Sequence, residues 1–131
     1  MEIVWNDLMT IGVQEIDEQH QTLIDTLNRL GEVMLGEQRP EEIQEILAFT
    51  VRYAQTHFQS EEAYFEQYDC PETQTNKQAH VQFVEVVDSL IQDFQEQGAD
   101  ISLMIKIHKF LVDWLLHHIL EVDTTLRKYV K

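Results

Sequence analysis

Cysteine is nearly absent from this chain: Cys70 is the only one in 131 residues. A single thiol excludes an intramolecular disulfide and any zinc or iron–sulfur site built from several cysteines, and it fits a reducing compartment. Proline (2) and glycine (4) are also scarce, which disfavours turn-rich all-β architectures and leaves room for long helices. Basic residues are few. Nine Lys and Arg stand against 24 Asp and Glu, a formal net charge of −15, and such a surface repels phosphate, so nucleic acid and anionic membrane are poor partners. A long hydrophobic run is missing as well. The most apolar stretch, Phe110 to Leu120, is broken by Asp113, His117 and His118 and falls well short of the ~20 residues of a membrane span. Residues 1–16 hold acidic side chains and no Lys or Arg, unlike a secretory leader. The expectation is a soluble, cytoplasmic protein with no membrane insertion.

What is present is 44% hydrophobic and arranged with helical spacing. Breaks at Gly36 with Pro40, at Asp69-Cys70-Pro71 and at Gly98-Ala99-Asp100 each read as a helix stop and restart. Between them apolar residues recur at steps of three and four, from His20 to Leu35, Ile43 to Tyr68, Phe83 to Phe94 and Ile101 to Val122. This predicts an N-terminal arm over 1–16 and helices over about 17–36, 40–67, 74–97 and 101–128. Their short connections imply antiparallel neighbours, so the expected fold is all-α: one domain over 1–131, an up-down-up-down antiparallel four-helix bundle.

The informative feature is the placement of histidine. His20, His57, His80 and His118 fall on the apolar stripes, one per helix. A lone histidine on a core face is ordinarily a hydrogen-bonded structural residue. Four of them facing a core of Leu, Phe and Ile have few polar partners, and a shared metal would satisfy them together. Glu61 follows His57 by four residues and shares its face. Asp123 follows His118 by five, about 140° round an ideal helix, so the fourth helix must tilt or deform if both are to reach one centre. His117 and Glu121 compete at four-residue spacing, but the stripe from Met104 through Leu111 and Leu115 favours His118 as the inward residue. Imidazole and carboxylate without thiolate suit iron, manganese or zinc. Four imidazoles and two carboxylates are too many for one tetrahedral zinc and suit a carboxylate-bridged pair. A ferritin-like site would need two Glu-x-x-His motifs, and the nearest approach here is Asp17-x-x-His20. His108 lies about two and a half turns from His118 and reads as structural, as do Met9, Met34 and Met104. Cys70 reads as an incidental loop thiol.

Taken in order, Trp5 in the arm, Asp17-Glu18-Gln19-His20, His57-Phe58-x-x-Glu61-Glu62 and Trp114-Leu115-x-x-His118-Ile119-x-x-x-Asp123 resemble the hemerythrin family, particularly its single-domain bacterial members. The resemblance spans nearly the whole chain. It implies two non-haem irons with an oxo or hydroxo bridge, His20 and His57 serving one, His80 and His118 the other, and Glu61 and Asp123 bridging them. It also implies reversible dioxygen binding for storage, delivery or sensing, with no catalytic residue, and an oxygen-consuming enzyme or a reductase as candidate protein partners. Leu23, Phe58, Trp114, Leu115 and Ile119 would wall the dioxygen pocket and keep it dry.

One position departs from the family. The third-helix motif, normally His-x-x-x-His, here reads Asn76-Lys77-Gln78-Ala79-His80. Asn76 is a weak or lost ligand. Three consequences stay open: a weakly held second iron, peroxidase- or oxidase-like turnover at a second open position, or replacement of the donor by nearby Glu72. A redox- or iron-sensing module is a further alternative.

Overall fold

The computed structural model describes residues 3–36, 40–98 and 100–130. Helix α1 runs Gln14–Leu35, α2 Pro40–Gln67, α3 Thr73–Gln97 and α4 Ile101–His117. α1 packs on α2 and α4, and α3 packs on the same two, which closes an antiparallel four-helix bundle. No strand occurs among the described residues. The bundle expected from the periodicity is the one observed, with shifted edges. α1 begins at Gln14 rather than 17, because the Val13 carbonyl already accepts from Asp17 N–H at 2.9 Å; α3 begins at Thr73. Residues 37–39 of the first break and Ala99 of the third lie outside the described residues.

Local chemistry accounts for the helix ends. Pro40 opens α2, where its missing N–H leaves no bond unmade. Asp100 caps α4 by accepting from Leu103 N–H. α3 ends at Gly98, whose φ of +75° is strained for any residue with a Cβ. Two residues expected on the apolar stripes lie instead in water at helix ends: Leu35 is 82% exposed and Ile101 60%. Each is at the last or first position of its helix, past the reach of the core.

The arm is tied down at three points. Asn28 brackets Ile3, accepting from its N–H and donating to its carbonyl, both at 2.8 Å. Asp17 accepts from Ile11 N–H at 2.8 Å and Gly12 N–H at 3.2 Å. Arg127 donates to the carbonyls of Leu8 and Thr10.

The fourth helix is not α-helical to its end, contrary to the range 101–128. After His117 it widens into a π turn over His118–Val122 and tightens into a 3-10 turn over Asp123–Lys128. Asp123 N–H reaches back to the carbonyls of His118 and Ile119.

The core is in two parts. A large cluster includes Leu23, Leu27, Phe58, Phe83, Leu111 and Leu115. A small one holds Ile11, Val13, Ile16, Phe65, Cys70 and Leu126. Cys70 is thus a buried core residue rather than an incidental loop thiol, and burial pushes its thiol above the ordinary value. α1 and α2 contribute to both clusters, through Ile16 and Phe65 in the small one, and buried polar residues stand on each strip of chain: His20 on α1, His57 and Glu61 on α2, Asn76 and His80 on α3, His118 and Asp123 after α4.

Candidate metal centre

Six of these residues, all but Asn76, meet in one layer. His20, His57, Glu61 and Asp123 form one group, and Glu61, His80, His118 and Asp123 a second; within each, one ligand atom per residue lies within 4.8 Å of the others. The two groups share Glu61 and Asp123, and all six residues are buried. Glu61 Oε2 is 3.1 Å from His20 Nε2 and 3.0 Å from His57 Nε2. Glu61 Oε1 is 3.0 Å from His80 Nε2 and 3.3 Å from His118 Nε2. Asp123 spans the same gap, with Oδ2 3.0 Å from His20 and Oδ1 2.9 Å from His118.

The geometry favours a cation. Donors roughly 2.1 Å from a metal and at right angles to one another lie about 3.0 Å apart, which matches these separations. Neither Asp123 oxygen has a contact with hydrogen-bond geometry, as expected of donors aimed at a common point rather than at each other. His80 and His118 also turn their Nε2 atoms together at 3.0 Å. Four imidazoles and two carboxylates are a donor set for iron, manganese or zinc, so the residues present fit a metal pair.

The same charges raise the proton affinity of two of the imidazoles. Burial pulls the imidazoles of His20 and His118 down, but Asp123 and Glu61 outweigh it and push them up to about 9 and about 10. Burial likewise disfavours the Glu61 carboxylate, yet the surrounding imidazoles, His57 foremost, hold it well below its ordinary value.

Two of the four imidazoles are oriented from behind. His57 Nδ1 donates to Gln19 Oε1 at 2.7 Å and His80 Nδ1 to Glu62 Oε2 at 2.7 Å, so each presents Nε2 to the centre. Neither Gln19 nor Glu62 carries a role legible from the sequence alone. The available signal was their position, each beside a candidate ligand and partly buried. Aromatic rings cover the imidazole faces: Phe58 stacks on His80 at 3.8 Å between centroids, and Trp114 on His118 at 4.5 Å.

The other candidates separate cleanly. Leu23, Phe58, Trp114 and Leu115 line a small apolar cavity of about 10 Å³, room for roughly one water-sized molecule; Ile119 is fully buried but outside its lining. Asn76 is fully buried one turn from His80, and both its side-chain polar atoms lack partners. Glu72, the suggested substitute donor, belongs to neither group among the described residues. His117 and Glu121 are exposed. His108 donates to the Leu27 carbonyl at 3.1 Å, a structural bond within the large cluster.

A four-helix bundle with two overlapping imidazole–carboxylate groups at its centre defines a metal-binding helical protein. Residues 11–130 match the family described as the hemerythrin HHE cation binding domain, and the chain belongs to the hemerythrin family. It is 33% identical over 129 residues to the bacteriohemerythrin of Stenotrophomonas maltophilia, covering 98% of this chain and 82% of that one. To the bacteriohemerythrin of Clostridium acetobutylicum it is 30% identical over 131 residues, covering 97% and 98%. Among solved structures, a wild-type hemerythrin superposes with a TM-score of 0.84 at 26% identity, over 97% of this chain and 96% of the other. No helix among the described residues is long and apolar enough to cross a membrane.

Proposed function

We propose that this chain binds dioxygen reversibly at a non-haem di-iron centre, for oxygen storage, delivery or sensing. The observation that carries the reading is the sharing of Glu61 and Asp123 between two buried groups, each completed by two imidazoles. His20 and His57 would hold one iron, His80 and His118 the other, with the two carboxylates and an oxo or hydroxo group between them. A ferrous pair held there would supply the electrons that dioxygen takes up. The chain's own residues do the rest. Gln19 and Glu62 fix the imidazole orientations, while Phe58, Trp114, Leu23, Leu115 and Ile119 keep water and protons away from the apolar side. An oxygen-consuming enzyme or a reductase is the kind of protein such a carrier serves.

Peroxidase- or oxidase-like turnover is the competing reading, and the orphaned Asn76 carboxamide favours it, because a second open position would admit a second small molecule. One experiment separates the two. Protein loaded anaerobically with ferrous iron is counted for metal, exposed to air and then to vacuum. Two irons per chain and a visible charge-transfer band that vanishes under vacuum support the carrier. A band that decays irreversibly within seconds rejects it in favour of turnover.

A further inference from the structure

Asn76 has no hydrogen-bond partner for its side chain within the protein. Its side chain is 0% exposed, and neither Oδ1 nor Nδ2 makes a hydrogen bond. Its backbone N–H is engaged, donating to the Glu72 carbonyl at 2.8 Å, so the unpartnered atoms are those of the carboxamide. Burying two unpaired polar atoms is costly, and a leucine of similar volume would avoid that cost.

Its place in the fold sets which side of the centre Asn76 lies on. Along α3 it lies one turn from His80, on the side toward the small cluster of Phe65, Cys70 and Leu126. The chain after α4 runs antiparallel to α3 and passes from His118 to Asp123 to Leu126, so Asn76 and Asp123 sit on the same side of the His80–His118 pair. The opposite side of the layer is apolar, formed by Leu23, Phe58 and Leu115. The centre thus has two unlike faces.

Resting on the reading that the cluster holds a metal pair, we propose that the Asn76 carboxamide walls an exchangeable ligand position on the metal held by His80 and His118. There it holds water or a small anion by donation from Nδ2. An amide oxygen is a weak donor compared with imidazole, so that position stays open to ligands from solution, while its amide N–H₂ supplies what a charged small ligand needs for a hydrogen bond. The apolar face accepts a nonpolar molecule such as dioxygen; the Asn76 face accepts a hydrogen-bonding one.

The test uses Co²⁺ as the metal and azide as the probe, read by absorption, in the unsubstituted chain, Asn76→His and Asn76→Leu. Asn76→His fills the position, and fewer azide ions bind per metal pair. Asn76→Leu keeps the volume without the donor, and azide at this position binds about tenfold more weakly. In metal-free protein Asn76→Leu raises the melting temperature, because two orphaned polar atoms are removed. Unchanged azide stoichiometry and affinity in all three chains, each loaded with two Co²⁺, would overturn this inference and leave the metal pair standing. A lower melting temperature for metal-free Asn76→Leu would overturn it too, showing the carboxamide already satisfied inside the fold. Failure of all three chains to take up two Co²⁺ would overturn the metal-pair reading and the inference with it.

Discussion

His118 and Asp123 are five residues apart, yet Nε2 of one lies 2.9 Å from Oδ1 of the other. On a regular α-helix they would diverge by about 140°. The π turn over His118–Val122 removes that angle, because an i→i+5 hydrogen bond places residues five apart on one face. The carboxylate at 123 is therefore the product of a local backbone defect, and the residue that a regular helix would present, Val122, is only partly buried.

A transplant tests this. Asp123→Ala weakens metal binding by at least the roughly 10–100-fold associated with losing a supporting group. Adding Val122→Asp to that variant restores nothing if the π turn persists. Recovery of affinity in a metal titration would mean that the segment is an ordinary helix.

Gln19 and Glu62 hold His57 and His80 from outside the centre. Gln19→Leu and Glu62→Leu should each weaken metal binding about 10-fold or more. Glu62→Gln keeps an acceptor for the His80 Nδ1–H and should lose less. Equal losses for Glu62→Gln and Glu62→Leu in a chelator competition assay would show that Glu62 acts by general charge rather than through this bond.

How far the sequence reached follows from what kind of fact each feature is. His20, His57, His80 and His118 stood out because imidazoles on apolar stripes break a periodic rule, and periodicity is written in the chain. The bundle was legible for the same reason. Asp123 was visible only as a contradiction, since its spacing from His118 fitted no regular helix and the π turn resolving it is a tertiary outcome. Gln19 and Glu62 were hidden because each bonds an imidazole 38 or 18 residues away, and polar residues at helix edges are common without such partners. The burial of Cys70 was missed because Pro71 marks a loop, while the packing of Ile11 and Leu126 around it comes from opposite ends of the chain.

Phe58 serves both the fold and the centre, since its ring stacks on His80 and lines the small apolar cavity. Phe58→Ala should cost about 3–5 kcal/mol of stability and enlarge the cavity enough to admit water. The check is a denaturant midpoint together with, on the proposed dioxygen-binding function, the lifetime of the oxygenated iron protein. A lowered midpoint with an unchanged lifetime would confine Phe58 to packing.

His108 offers a control within the same molecule. Its Nε2–H donates to the Leu27 carbonyl, and a Cβ at Gly31 would sit 2.8 Å from that nitrogen. Gly31→Ala should therefore break the bond and destabilise the fold by about 1–3 kcal/mol, with metal uptake per chain unchanged. Loss of metal in folded Gly31→Ala protein would tie His108 to the centre after all.

The cluster's protons set the pH dependence of both stability and metal uptake. In metal-free protein His20 titrates at about 9 and His118 at about 10, above the ordinary 6.5. Raised values mean that the folded state holds protons the unfolded chain releases, so this stabilisation is complete below pH 6.5 and is lost as pH rises through 9 and 10. Glu61 works in the opposite sense. Its depressed value contributes above the ordinary 4.5 and is lost as pH falls, so metal-free stability peaks between those limits and declines on both sides. Metal must displace the two imidazolium protons, and apparent affinity for the pair should rise about a hundredfold per pH unit between pH 7 and 8. Calorimetric titration with Zn²⁺ at pH 7.5, in two buffers of different ionisation enthalpy, should report about two protons released per metal pair. Release near zero would mean that His20 and His118 are already neutral in the metal-free protein.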